Sequence, residues 1–290
     1  LVIGLAIYNV NLGTRAKDVG SLALVTTPYS LKKTEYFIRD VYNATSVADY
    51  NLDGFLDVLA SGSTNFHNDN TTVFFWDVKN NVVKTYSEFL SGDYDDGWKN
   101  GTGRLNVSDL DGDGKMNVSY VSGKYLYALK EDFTKLWRVT INEETSGYTG
   151  CTLFDFNGDG KAEIVYRDER YLYIIDGTDG SIYSQLNCSS RTNREYPIVA
   201  DVDADGSTEI CVTCAVTDIT DANFNDFVTN NASLKYPGQI RVFKSAAEPW
   251  VPARRVWNQH GYFVVNVNDD LTIPTTIQAH HLVWSTGTCT

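Results

Sequence analysis

Four short stretches of the sequence crowd side-chain oxygens around a glycine: Asp49–Asp57 (DYNLDGFLD), Asp109–Asn117 (DLDGDGKMN), Asp155–Glu163 (DFNGDGKAE) and Asp201–Glu209 (DVDADGSTE). They share the frame D-x-[DN]-x-D-G-x-x-[DNE], with oxygens at positions 1, 3, 5 and 9 and glycine at 6. An acidic turn this tight repels itself unless a cation sits inside it, and oxygens at alternate positions of a sharp turn converge on one hard ion. Calcium, which takes roughly six to eight oxygens in flexible geometry, is the expected ion, at about four sites. The expected ligands are Asp49, Asn51, Asp53 and Asp57; Asp109, Asp111, Asp113 and Asn117; Asp155, Asn157, Asp159 and Glu163; and Asp201, Asp203, Asp205 and Glu209. Phe55, Lys115, Lys161 and Ser207, at position 7, are expected to add their backbone carbonyls. An EF-hand would need a bidentate acid at position 12 and a helix after it. These loops hold Ala60, Tyr120, Tyr166 and Val212 there and run into strand-like segments such as EIVYRD.

The elements that must hold the loops repeat with them. The loop starts lie 60, 46 and 46 residues apart, and KYLYALK (124–130) and RYLYIID (170–176) are also 46 apart. One unit reads as an apolar strand into the loop (CTLF), a strand out of it (EIVYRD), a third (YLYIID), a turn (GTDG) and a fourth (SIYSQL). Four short strands per repeat fit a propeller blade, whose sheet buries its faces only against neighbouring blades. The expected fold is therefore all-β: a β-propeller of four-stranded blades with calcium loops between first and second strands. The first unit carries an insertion around STNFHNDN, and the last a longer one, TDITDANFNDFVTNNASLKYPG, before QIRVF.

The loop frame followed by a strand resembles the calcium loop of FG-GAP and VCBS-type β-propeller repeats, shared by integrin α-subunits and many bacterial surface proteins. The resemblance covers Val41 to Phe243. Farther on, Trp250 to Pro274 (WVPARRVWNQHGYFVVNVNDDLTIP) resembles the segment that closes such propellers in large exported proteins, which implies that the chain is part of something longer. The expected organisation is an N-terminal strand region (1–40, a degenerate blade or an exchanged strand), calcium-loop repeats (41–249), and a closing segment with a tail (250–290). At 46 residues per blade, the 290 residues allow five or six blades plus that tail. LVIGLAIYNV (1–10) opens the chain as an apolar strand without a partner in the repeat frame; it either completes a blade of its own propeller or docks on a neighbour, giving a homopolymer.

Composition fits an extracellular module. Thirteen of the 37 acids lie in the four loops, and the remaining 24 equal the 24 Lys and Arg, so the net charge of −13 belongs to the loops. No basic run points to nucleic acid, and no stretch reaches the roughly 20 apolar residues of a membrane span. The chain starts without Met or a basic leader, which favours a processed or truncated N-terminus over a retained signal peptide. Calcium loops work best where calcium is millimolar, which favours a secreted or cell-surface site. Seven N-x-[ST] sequons (Asn43, Asn70, Asn100, Asn106, Asn117, Asn187 and Asn231) permit a glycoprotein, although Asn117 is already an expected ligand. The five cysteines leave at least one unpaired within the chain. Cys151 and Cys188 lead into successive loops and are candidates to bridge blades, while Cys211 and Cys214 read as small buried side chains of one strand.

No catalytic constellation emerges. His260, in VWNQHGY, reads as a packed structural residue; the His280–His281 pair offers a transition-metal site, but adjacent residues on a strand point apart and a surface tail is the plainer reading. The expected function is a non-enzymatic adhesion or structural module of a cell-surface or filament protein, binding a glycan or protein ligand. The alternatives are a lyase-type polysaccharide-active enzyme and a glycan-binding lectin domain.

Overall fold

The computed structural model describes residues 2–3, 6–9, 14–18, 45–63, 71–88, 102–143, 149–191, 195–216, 219–220, 222–223, 226–227 and 237–275. Three repeat units fold as four-stranded antiparallel sheets whose strands pair in chain order. Unit 1 comprises β4 (Thr45–Ala48), β5 (Asp57–Ser63), β6 (Thr71–Asp77) and β7 (Val82–Ser87); unit 2 comprises β8 (Asn106–Ser108), β9 (Asn117–Ser122), β10 (Tyr125–Leu129) and β11 (Lys135–Thr140). Unit 3 comprises β12 (Cys151–Phe154), β13 (Glu163–Arg167), β14 (Tyr171–Ile175) and β15 (Ile182–Asn187). Unit 4 has three described strands, β16 (Ile198–Ala200), β17 (Glu209–Ala215) and β18 (Gly238–Phe243). The chain begins with a separate antiparallel sheet of β1 (Val2–Ile3), β2 (Ala6–Asn9) and β3 (Thr14–Asp18). The opening segment is thus not one partnerless strand. It folds back on itself, with Val2 opposite Ile7 and Ile3 opposite Ala6.

The middle strands are apolar on both faces because both faces are covered. Side chains alternate across a strand, so β10 sends Tyr127 and Leu129 into a core shared with unit 1, and Leu126 and Ala128 into a core shared with unit 3. In unit 3, Tyr173 and Ile175 face unit 2, whereas Leu172 and Val165 join Ile210 and Val212 of unit 4. Every residue of β13 is buried. A lone sheet of this kind would leave one apolar face wet, so the units are stable only as a stack.

The first strands add a repeated hydrogen bond from unit to unit. Three residues before each of the first three loops, Ser46 Oγ donates to Leu105 O (2.5 Å), Asn106 Nδ2 to Cys151 Sγ (3.0 Å) and Thr152 Oγ1 to Pro197 O (2.5 Å). At the far end of unit 3 the turn between β14 and β15 closes over unit 2, and Trp137 Nε1 donates to Gly177 O at 2.7 Å. A Cβ at Gly177 would sit 2.2 Å from Ala162 O, so only glycine permits this approach.

A disulfide joins Cys188, just after β15, to Cys214 on β17, and so staples unit 3 to unit 4. This corrects the bridge expected between Cys151 and Cys188, and it gives Cys214 a bonded role. Cys151 instead lies buried with a free thiol that burial pushes up to about 11. The segment after β18 runs along the innermost strands. Near the loops, Val251 N donates to Phe156 O and Arg254 O accepts from Asp201 N; at the other end, Arg104 Nη2 donates to Tyr262 O and Tyr196 OH to His260 O.

Candidate metal loops

Each acidic stretch links the first strand of its unit to the second, and all four are wired alike. The acid at position 1 accepts from the glycine N–H at position 6: Asp49 from Gly54 (2.8 Å), Asp109 from Gly114 (2.9 Å), Asp155 from Gly160 (2.9 Å) and Asp201 from Gly206 (3.3 Å). The acid at position 5 accepts from the N–H at position 7, in Asp53–Phe55, Asp113–Lys115, Asp159–Lys161 and Asp205–Ser207, all within 2.8–3.0 Å. Position 9, already on the second strand, reaches back to the N–H at position 2: Asp57 to Tyr50, Asn117 to Leu110, Glu163 to Phe156 and Glu209 to Val202. Asn51, Asn157 and Asp203, at position 3, each accept from the N–H two residues on. The four glycines adopt φ between 82° and 87°, a region open to glycine at no steric cost.

This wiring leaves oxygens over. Asp57 Oδ1, Asp111 Oδ1, Asp201 Oδ1 and Glu209 Oε1 are buried and accept no hydrogen bond. The carboxylates of Asp109, Asp111 and Asp113 offer oxygens within 4.8 Å of one another, as do those of Asp201, Asp203 and Glu209. Buried carboxylate oxygens without donors are costly unless a cation meets them. Burial, helped by Asp77 and Asp53 nearby, pushes the Asp57 carboxyl up to about 6 against the pull of the Asn51 and Tyr50 N–H groups. Asp111 and Glu163 are likewise raised by burial and by neighbouring loop acids. The residues fit a hard divalent ion, which would supply the missing positive charge and hold the turn. Asn117 fits less well: its Oδ1 accepts from Leu110 N at 2.7 Å, and its Nδ2 is buried without an acceptor.

Basic side chains rim three of the loops. Lys79 lies 3.4 Å from Asp53, Lys115 3.4 Å from Asp113, and Lys244 3.3 and 3.2 Å from Asp203 and Asp205; Arg255 is 3.3 Å from Asp201. The lysine pairs lie at the solvent-facing rim and are screened, Arg255 meets the buried Asp201 from an exposed position, and the inner oxygens stay uncovered.

Two features escaped the sequence frame. Position 4 is left-handed in all four loops, at Leu52 (φ 58°), Gly112 (76°), Gly158 (74°) and Ala204 (64°); its two glycines were the available signal. Asp77, at the end of β6, accepts from Asn51 Nδ2 (3.3 Å) and so adds a fourth acid to the first loop's surroundings. The acid ending its strand run, FFWD, was the cue. Of the remaining candidates, His260 packs 4.9 Å from the Tyr196 ring. Among the sequons, Asn106 and Asn117 are taken up by contacts inside the fold, and Asn187 is exposed. His67, His280, His281, Cys289 and sequons Asn43, Asn70, Asn100 and Asn231 lie outside the described residues. Among the described residues, no helix is long and apolar enough to cross a membrane.

Comparison with solved structures finds the V. cholerae biofilm matrix protein Bap1 similar, at 19% identity and a TM-score of 0.46, over 81% of this chain. The chain spans 40% of the length of that protein. No curated protein matches the sequence. Residues 109–166 and 155–212 match the FG-GAP-like repeat, each match running from one acidic loop through the second strand of the next unit, so the stretch 109–212 consists of overlapping FG-GAP-like repeats.

Proposed function

We propose that the chain is a calcium-stabilised β-propeller module of a secreted or cell-surface protein, serving adhesion or structure without catalysis. The observation that carries this reading is the shared wiring of four loops, which in the first, second and fourth leaves buried carboxylate oxygens over. Side chains at positions 1, 3, 5 and 9, with the position 7 carbonyl, hold the ion; Asn117 makes the second site the weakest. The ion's role is to cancel the repulsion of each turn and lock the first strand of a unit to the second. The disulfide between Cys188 and Cys214 supports an oxidising compartment. On this reading, residues 1–40 contribute a further blade, 41–249 the calcium-loop repeats, and 250–290 the closing segment and tail. A glycan or protein ligand binds to this scaffold. Calcium titrated calorimetrically into chelator-stripped protein tests the reading: about four ions per chain are expected, and absence of both binding heat and thermal stabilisation would overturn it.

A further inference from the structure

Residues 250–255, beyond β18, belong to no described sheet, yet they are bonded to two of the acidic loops at once. On the side of the third loop, Val251 N donates to Phe156 O at 3.1 Å, and Phe156 N in turn donates to Glu163, the acid at position 9. The Trp250 ring lies 4.7 Å from the Phe156 ring, and Val251 closes over Gly158, where a Cβ would come within 3.2 Å of it. On the side of the fourth loop, Asp201 N donates to Arg254 O at 3.2 Å and Thr208 Oγ1 donates to Val251 O. Arg255 donates from Nε to Asp201 Oδ2 at 3.3 Å and from Nη2 to Ala204 O at 3.5 Å. Asp201 Oδ2 also accepts from Gly206 N, so it serves the turn and this segment together, while Oδ1 stays buried without a donor. One short stretch of chain thus holds positions 2 and 4 of one loop and positions 1, 4 and 8 of the next.

We propose that residues 250–255 are a strap that couples the third and fourth metal loops, so that an ion in one favours an ion in the other and both together seat the strap. The inference rests on the calcium reading of the loops. Without a cation the acids at positions 1, 3, 5 and 9 push apart. The backbone groups that the strap engages, Phe156 O and Asp201 N, lie at positions 2 and 1 of those turns. A loop that spreads loses its hold on the strap, and a loosened strap withdraws a partner from the other loop. The connection between the two holds is short and stiff: Arg254 follows Val251 by three residues, and Pro252 between them fixes its own φ. Trp250, Ala253 and Trp257 pack against the core shared by units 3 and 4, so the strap lies along the seam between them. The Arg255 side chain is 65% exposed, so its pairing with Asp201 is screened and the backbone bonds carry the coupling. Such a coupling acts equally in both directions.

The test is amide-resolved hydrogen exchange on the whole chain in saturating calcium, with ion binding followed by calorimetry. Asp205 bonds to Ser207 and Lys244 and not to the strap. Asp205→Asn should weaken the ion in the fourth loop and speed exchange about fivefold or more at Val251 N–H, which is bonded to the third loop. Asp159→Asn in the third loop should do the same at Asp201 N–H, which ties the fourth loop to the strap. Both acids are exposed, so the fold survives. Asp53→Asn in the first loop, two units away, should change neither amide. Trp250→Ala, which loosens the strap and leaves every acid in place, should abolish both cross-effects. The strap is overturned if each variant alters exchange only at its own loop. It is equally overturned if Trp250→Ala leaves the cross-effects intact, which would route the coupling through the sheets. Absence of binding heat in the unsubstituted chain would overturn the calcium reading and the strap with it, whereas binding heat without cross-effects overturns the strap alone.

Discussion

Units 3 and 4 carry loops with the same hydrogen-bond wiring, yet one is a four-stranded sheet and the other has three described strands. Their loops survive that difference because each is built from bonds spanning seven residues or fewer, such as Val202 N to Glu209 Oε2. The stack is built the other way, from contacts between units: the Thr152 to Pro197 bond, the Trp137 to Gly177 bond and the Cys188–Cys214 staple. Loop and stack are therefore separable, and perturbing one at a time should reveal it.

The largest effect should come from the loops together. An ion that binds only the folded chain stabilises it by about 3 kcal/mol per site at a hundredfold excess over Kd. Chelation is therefore expected to lower the melting temperature by on the order of 10 °C or more, measured by differential scanning fluorimetry with and without calcium. An unchanged melting curve after verified metal removal would mean that the wiring holds the loops unaided.

Next comes the staple. Replacing Cys188 and Cys214 together by Ser releases a loop with a sequence separation of 26, worth about 3.5 kcal/mol of unfolded-state entropy. Denaturant unfolding in saturating calcium should show that loss while the calcium stoichiometry stays the same. A drop in stoichiometry would refute the separation of stack from loop. Gly177→Ala should cost about 2 kcal/mol, because the new methyl meets the Ala162 carbonyl. Gly238→Ala in unit 4, where the nearest contact is 3.8 Å, should stay within about 0.5 kcal/mol. Equal losses at the two glycines would show that unit 4 is packed as tightly as unit 3.

The sequence made the loops legible because their geometry is local: ligand types, spacing and the position 6 glycine all lie within nine residues. The four-strand order of units 1 to 3 was legible for the same reason, through turns such as GTDG and alternation such as YLYIID. What depended on distant partners was not. Nothing local to Cys188 says that it meets Cys214 across two sheets, nor does GQIRVF announce that its outer edge pairs with no described strand. LVIGLAIYNV read as one strand because nothing in it but a single glycine interrupts the apolar run, yet Val2–Ile3 pair with Ala6–Ile7 as two antiparallel strands.

A comparison between loops sharpens the metal reading further. Asn117 presents an unpaired amide nitrogen where Asp57 and Glu209 keep a spare carboxylate oxygen. Asn117→Asp is expected to tighten calcium binding at that loop severalfold in calorimetry, and to lower the melting temperature in chelator, since it buries a carboxylate without a donor. Stabilisation in both conditions would place the position 9 side chain outside the ion's reach.

The smallest effect concerns position 4. Leu52 and Ala204 hold the left-handed backbone that Gly112 and Gly158 adopt in the other two loops. For a residue with a Cβ that conformation costs roughly 1–2 kcal/mol, because Cβ crowds the following carbonyl. Glycine removes the clash but gains freedom in the unfolded chain, so the net gain from Leu52→Gly or Ala204→Gly should be only about 0.5–1 kcal/mol. Leu52 is 41% exposed and lies in no described core cluster, so its side chain gives up little packing. Conversely, Gly158→Ala should lose about 1 kcal/mol, and slightly more than strain alone because its Cβ would press on Val251 at 3.2 Å. Urea unfolding of the three variants in saturating calcium reads these differences. A loss at Leu52→Gly would mean that the leucine contributes more to the folded loop than its strain removes, and that position 4 is selected for its side chain rather than its backbone.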